Sequence, residues 1–118
     1  MGKLFTIGEL LIDFTPTQQH GDLAHIEHFT KHAGGAPANV AVVCAKLGQQ
    51  AALLTQVGQD AFGDFLKKTL QLAGVDTQYI RQTTEGETSL AFVALSETGE
   101  RDFQFYRRHA ADLLYKQE

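Results

Sequence analysis

The strongest constraint on the fold is an alternation of strand-like and helix-like segments in the first two thirds of the chain. Residues 4–14 and 51–57 are nearly continuous apolar runs, as expected for strands that are buried on both faces. Helical spacing of apolar residues follows Pro37, which suits a first helical position, and Asp60, which suits a helix N-cap. The order strand, helix, strand, helix predicts an α/β fold, with a parallel sheet, right-handed crossovers and helices on the faces of the sheet.

Each predicted helix carries a stripe of side chains that should face the core, and Gly48 and Gly74 mark the expected helix ends. A short exposed strand is also predicted over residues 23–32, before the first helix. The two stripes consist of Val40, Val43, Cys44 and Leu47 in the first helix, and of Phe62, Phe65, Leu66, Thr69, Leu70 and Ala73 in the second.

The pattern changes after the second helix. Residues 88–95 and 101–107 have the alternation of two strands joined by a loop, which predicts a hairpin. Phe103, Phe105 and Arg107 would share one face of this hairpin. Because a two-stranded ribbon is only marginally stable alone, we expect it to pair with another strand or a partner surface. Residues 110–117 are predicted to begin a further helix.

Composition excludes several functional classes. The 118 residues suffice for one small domain, and 10 Lys and Arg against 14 Asp and Glu give a formal net charge of −4. An acidic chain lacks the basic surface that attracts nucleic acid or anionic membranes. The single cysteine fits a reducing compartment, and the sequence shows neither a secretory signal nor the run of about 18 apolar residues that spans a membrane. We therefore expect a cytoplasmic protein that binds neither nucleic acid nor membrane.

Common phosphate and metal motifs are weak or absent. Gly58 and Gly63 have the spacing of a P-loop, but Asp64 stands where that loop needs a lysine, and no Gly-x-Gly-x-x-Gly run occurs. Three histidines spaced three and four apart would face one side of a helix and could bind zinc there. The nearby glycines argue against a helix, so solvated histidines on an exposed strand are favoured and no metal site is expected. These histidines are His25, His28 and His32.

The informative constellation is formed by Asp13, Gly34, Gly35 and Asn39. Asp13 lies at the end of the first predicted strand, the two glycines precede a helix start, and Asn39 lies in the first turn of that helix. Free N–H groups at a helix N-terminus donate hydrogen bonds, a carboxylate accepts them, and an asparagine amide does both. Together these groups suit a small polyhydroxylated ligand. The alternative is that Asp13 caps a loop and the glycines only permit a tight turn.

Five stretches of the chain resemble, in order, motifs of the ribokinase-like (pfkB) carbohydrate kinases. The version of the helix start found here, Ala-Pro-Ala-Asn-Val, most resembles the fructokinase branch, and the resemblance runs through essentially the whole chain. The five stretches are Gly-Glu-Leu-Leu-Ile-Asp at 8–13, Gly-Gly-Ala-Pro-Ala-Asn-Val-Ala at 34–41, Val-Gly-Gln-Asp-Ala-Phe-Gly at 57–63, Gly-Val-Asp at 74–76 and Phe-Tyr-Arg at 105–107.

The resemblance implies a Rossmann-like α/β domain over residues 1–118, with a small β lid formed by segments near 14–33 and 87–108. It also implies transfer of a phosphoryl group from ATP, with Mg²⁺, to a hydroxyl of a sugar, and a homodimer formed through the lid. Fructose is the first candidate, but a related ketose, an aminoimidazole riboside and an acidic keto-sugar stay open, since Arg107 could bind either hydroxyls or a carboxylate. The residues that would contact the sugar are Asp13, Gly34, Gly35 and Asn39, with Phe92, Phe105 and Arg107 closing over it.

The chain also departs from the family. The family's late Gly-Ala-Gly-Asp motif, whose aspartate is the catalytic base, does not occur in residues 1–118, and the ATP-binding segment belongs to the same absent region. We therefore interpret the chain as the N-terminal portion of a kinase: an incomplete fold that contains no catalytic residue and is inactive by itself. The alternative is a non-catalytic module that binds a sugar or another subunit.

Overall fold

The structure is a computed structural model that describes residues 2–17, 21–95 and 99–114. In this part of the chain the strands form two sheets, one with three strands and one with four. The strands are β1 (Leu4–Ile7), β2 (Leu11–Pro16), β3 (Phe29–Gly34), β4 (Ala51–Gly58), β5 (Ile80–Thr83), β6 (Ser89–Leu95) and β7 (Arg101–Tyr106), and the helices are α1 (Ala36–Lys46), α2 (Ala61–Leu72) and a 3₁₀ helix (Ala111–Leu114).

The three-stranded sheet is parallel, with β4 between β1 and β5. The connections from β1 to β4 and from β4 to β5 run in the same direction across the sheet and contain α1 and α2. Leu53 and Val57 of β4 pack in one fully buried cluster with Leu66 and Leu70 of α2. The predicted α/β class with a parallel sheet is confirmed.

The opposite face of this sheet is covered at β4, where Ala52 and Gln56 are buried, but open at β1. Phe5 and Ile7, which alternate with the inward-facing residues of β1, are 48% and 64% exposed. The 3₁₀ helix covers part of the face, where the Gln56 side chain donates a hydrogen bond to the carbonyl of Ala111 at 2.8 Å. The sheet therefore has one face packed against helices and one face that presents apolar side chains to solvent at β1.

The apolar run 4–14, predicted to be one strand, forms two strands in different sheets. The break lies at Gly8, whose φ of 143° is a conformation that side chains disfavour. A Cβ atom at Gly8 would lie 2.7 Å from Cγ of Pro37, so glycine also lets the start of α1 approach the strand. The run changes direction here because β1 joins the parallel sheet while β2 enters the second sheet.

The second sheet, here called the lid sheet, has the strand order β3-β2-β6-β7. β6 and β7 form the predicted hairpin, and β6 gains its expected additional partner in β2, to which it runs parallel. The strand predicted over 23–32 lies instead at Phe29–Gly34, where it pairs with β2, because residues 23–25 form a turn. The lid segments were predicted near 14–33 and 87–108. In the structure the lid strands span 11–34 and 89–106.

Of the stripe predicted on α1, only Cys44 packs against the core. Val40, Val43 and Leu47 are exposed by 49%, 56% and 81%, whereas Ala38 and Ala41 are buried against the sheet. Small alanine side chains let the helix backbone approach the strands closely, so the larger residues point outward. The stripe predicted on α2 is correct at its centre, since Leu66 and Leu70 are fully buried.

The helix predicted over residues 110–117 is a 3₁₀ helix at Ala111–Leu114, and residues 115–117 lie outside the described part. Gly21 and the backbone of Leu95 are joined by a hydrogen bond of 3.0 Å, which ties the segment after β2 to the end of β6. In the described ranges, no helix is long and apolar enough to cross a membrane.

Candidate functional site

Asp13 lies within β2, on a face of the lid sheet that is here called the front face. Its register partners are His32 on β3 and Ala91 on β6, and Ala91 pairs with Phe105 on β7. Paired residues point to the same side of a sheet, so Asp13 and Phe105 share the front face. The side chain of Phe105 is more than half exposed on this face. Asp13 is the third residue of a strand, rather than the end of a strand as predicted, because β2 continues to Pro16 alongside β3.

Gly34 and Gly35 bring the backbone close to Asp13. A Cβ atom at Gly34 would overlap the Asp13 carboxylate, so a side chain at this position is incompatible with the observed rotamer of Asp13. Gly35 has φ of 105°, and a Cβ atom there would lie 2.6 Å from the carbonyl oxygen of Glu9. The two glycines therefore allow the end of β3 to lie close to the Asp13 carboxylate and to the segment before β2.

Gly35 is the N-cap of α1, and Pro37 occupies the first turn as predicted. No side chain caps this end of the helix, and its first turn contains no acidic residue. The N–H of Asn39 donates a hydrogen bond to the carbonyl of Gly35 at 2.9 Å, and Asn39 is exposed at the surface. The positive end of α1 thus lies directly after the glycine pair that contacts Asp13.

Burial raises the pKa of Asp13 above its ordinary value of 3.8, and the negative charge of Glu9 raises it further, while His32 opposes the shift. Within residues 2–17, 21–95 and 99–114, no hydrogen-bond donor contacts the Asp13 carboxylate. A partly buried carboxylate without a donor has an unmet capacity to accept hydrogen bonds. Hydroxyl groups of a ligand would supply those donors.

Arg107 follows β7 and is held by three side chains. Its Nη2 donates a hydrogen bond to Oδ2 of Asp112 at 2.9 Å, and its Nε donates one to Oγ of Ser89 at 3.3 Å. Nη1 lies 3.4 Å from Oε2 of Glu9. Ser89 pairs with Leu11 in the row next to Asp13, which places this network beside the carboxylate on the front face. The structure therefore brings Asp13, Gly34, Phe105 and Arg107 to one side of the lid sheet.

Ser89 and Asp112 are not among the predicted site residues. Asp112 is far from Asp13 along the chain, and its side chain is only 2% exposed. A signal was nevertheless present, because an acidic residue five positions after Arg107 lies near enough to pair with it once the chain turns back at the 3₁₀ helix.

Phe92 lies on the opposite, back face of the lid sheet. Its ring stacks on that of Phe14 at 4.6 Å, and it makes edge contacts with Phe29 and Tyr106 at 5.4 Å and 5.8 Å. Phe14 is the register partner of Phe92 and neighbours Asp13 on β2, so the two aromatic rings point away from the carboxylate. The structure does not bring Phe92 together with the other site residues. It forms part of an aromatic cluster that supports the sheet from behind.

The loop at Asp60 has the wrong chemistry for ATP. Oδ1 of Asp60 accepts hydrogen bonds from the N–H of Gly63 at 2.7 Å and from the hydroxyl of Thr88 at 2.8 Å, and Oδ2 accepts one from the N–H of Thr88 at 3.2 Å. A carboxylate at this helix N-terminus occupies the place where a phosphate would bind and would repel it. This loop therefore does not suit the phosphates of ATP.

The three histidines do not converge. In the part of the chain that the structure describes, no three His, Cys, Asp or Glu side chains are grouped as a metal site. His25 contacts Asp22 at 2.5 Å in an exposed turn, and the ring of His32 lies 3.0 Å from the hydroxyl of Thr15 on the lid sheet.

Comparison with known proteins places this geometry in a family. The model of the pfkB family carbohydrate kinases matches residues 1–118. Probable fructokinase-3 of Arabidopsis thaliana is 44% identical over 115 residues, which are 98% of this chain and 33% of the plant protein. The chain thus spans about a third of the length of the curated relatives that it matches.

Solved structures agree with this assignment. Fructokinase from Xylella fastidiosa with bound ATP is 46% identical with a TM-score of 0.84, covering 97% of this chain and 33% of that one. A putative ribokinase II from E. coli is 30% identical with a TM-score of 0.88, covering 97% of this chain and 37% of that one. The parallel sheet with its lid is therefore the ribokinase-like fold, and the chain belongs to the pfkB family of carbohydrate kinases.

Proposed function

We propose that this chain is the sugar-binding portion of an ATP-dependent kinase that phosphorylates a hydroxyl of fructose. The observation that carries the proposal is the Asp13 carboxylate, which is partly buried and has no donor in the described ranges, yet lies against Gly34 on the same face as Phe105 and Arg107. The fructokinases among its relatives support fructose as the sugar.

In this proposal the chain binds and orients the sugar. The Asp13 carboxylate accepts hydrogen bonds from two sugar hydroxyls, while Asn39 and the N–H groups at the start of α1 bind another part of the molecule. Phe105 and Arg107 cover the sugar from the lid sheet. Covering the site matters because phosphoryl transfer must exclude water as a competing acceptor. Phe92 contributes from the back face, by fixing the position of the sheet.

The reaction itself depends on the rest of the protein. The relatives are about three times as long as the matched segment, and the Asp60 loop does not suit a phosphate. We therefore assign the ATP site, its Mg²⁺ and the catalytic base to the remaining two thirds. The face of the parallel sheet that is open at β1, with Phe5 and Ile7, is the surface on which that part would pack. The chain alone would be inactive, and the complete enzyme is proposed to act in the cytoplasm.

A homodimer formed through the lid sheet is part of the same proposal. β7 is an edge strand, and all six of its residues are exposed. Phe103 and Phe105, whose rings stack at 5.9 Å, expose about half of their surface on the front face. An edge strand with exposed aromatic rings favours association with a second copy of the chain.

A second candidate is a binding module without chemistry. The two candidates share the sugar site, so sugar affinity does not separate them, whereas ATP turnover does. The first measurement is the intact mass of the gene product from its source cell, followed by an assay of ATP-dependent fructose phosphorylation on that product. A mass well above 13.0 kDa with turnover supports the kinase. A mass of 13.0 kDa, with sugar binding and no turnover, supports the binding module.

A further inference from the structure

Arg107 is surrounded by negative charge. Its Nη2 forms an ion pair of 2.9 Å with Asp112, and its Nη1 lies 3.4 Å from Glu9. The Asp112 side chain is 2% exposed and that of Arg107 is 28% exposed, so solvent screens their interaction less than that of a surface pair. The single positive charge of Arg107 is thus shared between two carboxylates from different parts of the chain.

Ser89 links the two members of the buried pair. Its hydroxyl donates a hydrogen bond to Oδ1 of Asp112 at 3.1 Å and accepts one from Nε of Arg107 at 3.3 Å. Ser89 is itself buried, with 2% of its surface exposed. Arg107 and Asp112 are therefore joined both directly and through this hydroxyl, which fixes the plane of the guanidinium group.

The charges on the front face do not cancel. Glu9 and Asp112 contact Arg107, and Asp13 lies in the adjacent row of the sheet with His32 as its register partner, so three carboxylates accompany one guanidinium and one imidazole. The Glu9 and Asp13 side chains flank the same pair of glycines: a Cβ atom at Gly35 would lie 3.2 Å from Cγ of Glu9, and one at Gly34 would overlap the Asp13 carboxylate. A ligand that carried a carboxylate of its own would enter a region with excess negative charge, where the available guanidinium is already paired.

We propose that Asp112 and Glu9 determine the substrate class of this site, by neutralising Arg107 so that it serves as a hydrogen-bond donor to uncharged sugars and does not bind acidic ones. This inference rests on the proposed sugar-kinase function, which it deepens. Asp112 is a positioning and specificity-determining residue in this scheme: it contacts Arg107 and acts on the ligand through it. Discrimination arises because the acidic sugar meets unfavourable charge, while the neutral sugar keeps its hydrogen bonds.

The test compares two sugars that differ in one group. D-fructose and 2-keto-D-gluconate share their skeleton, but the latter has a carboxylate in place of one hydroxymethyl group. Dissociation constants of both sugars are measured by isothermal titration calorimetry on the complete gene product. The ratio of the two constants gives the preference for fructose without any need for turnover. In Asp112→Asn, an amide oxygen still accepts from Arg107 but the charge is lost. We expect the preference for fructose to fall by about tenfold, the effect of one charge about 10 Å away at an effective dielectric constant near 20. Glu9→Gln should act in the same direction, but less, because Glu9 is 38% exposed.

Two control variants separate charge from structure. Ser89→Ala removes the linking hydroxyl without changing the charge, so it should weaken both sugars and leave their ratio unchanged. Asp22→Asn removes an exposed carboxylate in the turn after β2 and should change neither affinity. If Asp112→Asn does not fold, Glu9→Gln gives the deciding ratio.

The outcomes distinguish this inference from the function on which it rests. A lower preference for fructose over 2-keto-D-gluconate in Asp112→Asn or Glu9→Gln, with the wild-type preference kept in both controls, supports it. An unchanged ratio in the charge variants, or a wild type that prefers 2-keto-D-gluconate, overturns it while phosphorylation of a sugar still stands. A wild type that binds neither sugar overturns both.

Discussion

Asp60 and Asp13 are two aspartates of the same chain in opposite states. The carboxylate of Asp60 accepts hydrogen bonds from the N–H of Gly63 and from both the N–H and the hydroxyl of Thr88. Burial acts to raise the pKa of Asp60, but these hydrogen bonds outweigh it and hold the pKa below its ordinary value of 3.8. Burial raises the pKa of Asp13, and no donor among the described residues compensates.

The difference separates a carboxylate that joins two parts of the fold from one that we propose for a ligand. Asp60 joins the start of α2 to Thr88, directly before the lid strand β6, so it ties the helical layer to the lid sheet. Asp13 makes no comparable contact among the described residues, so a ligand that donates hydrogen bonds to it breaks no bond of the fold. Buried polar groups that lack partners within the fold are often found at binding sites.

The largest expected effect is on stability, from Asp60→Ala. The substitution removes an N-cap and the hydrogen bonds to Thr88, and we expect a loss of about 3 kcal/mol in the free energy of unfolding. Urea unfolding of the complete gene product measures it. Asp64→Ala, which removes a carboxylate bonded to Gln82 in the first turn of the same helix, is the matched control and should cost clearly less. Equal losses for the two variants would show that Asp60 is not the special link between helix and lid.

Asp13→Asn should affect sugar binding and not stability, the reverse of what we expect for Asp60→Ala. We expect fructose binding to weaken by about 2 kcal/mol, because the charged acceptor of sugar hydroxyls is lost, while the free energy of unfolding stays the same or rises slightly. Calorimetric titration with fructose and urea unfolding of the same sample provide both values. An unchanged affinity would exclude Asp13 from the sugar site, and a large loss of stability would place it with Asp60 among the structural residues.

Sequence reasoning predicted Asp60 as a helix cap and Asp13 as a ligand group, but not the contacts that make them different. A cap is a local pattern, since Asp60 and Gly63 are three residues apart. The Thr88 contacts to Asp60 span 28 residues, and the Ser89 contact to Asp112 spans 23, so they depend on strand pairing that no short motif encodes.

Two further misses have a common physical cause. The spacing of Val40 and Val43 correctly predicted a helix. The side of that helix that packs on the sheet, however, is set by the small residues Ala38 and Ala41. Phe92 was assigned to the sugar side, although alternation along β6 places it behind the sheet once Ala91 pairs with Asp13. In both segments the secondary structure was predictable, and the inward face was decided by tertiary packing.

Gly34→Ala tests whether the observed position of the Asp13 carboxylate is needed for sugar binding. The added methyl group would overlap the Asp13 side chain, so Asp13 must change rotamer or β3 must move. We expect fructose to bind about tenfold more weakly, a smaller effect than removal of the charge because the carboxylate remains nearby. Gly2→Ala, whose added methyl group meets no atom within 4 Å, is the control and should leave the affinity unchanged. Wild-type affinity in Gly34→Ala would mean that the observed rotamer of Asp13 is not the one that binds sugar.

The smallest expected effect is a difference in pH dependence. Since the pKa of Asp60 is lowered by folding, its contribution to stability is present above pH 3.8 and is lost as the pH falls through the folded-state value. Since the pKa of Asp13 is raised by folding, its contribution is present below pH 3.8 and is lost as the pH rises through its folded-state value. Urea unfolding of wild type, Asp60→Asn and Asp13→Asn between pH 3 and 7 tests both signs (about the range in which carboxylates titrate). The destabilisation by Asp60→Asn should shrink towards low pH. The free energy of unfolding of Asp13→Asn should instead rise relative to that of wild type as the pH rises. Parallel curves for the two variants would mean that the two carboxylates do not differ as their hydrogen bonds indicate.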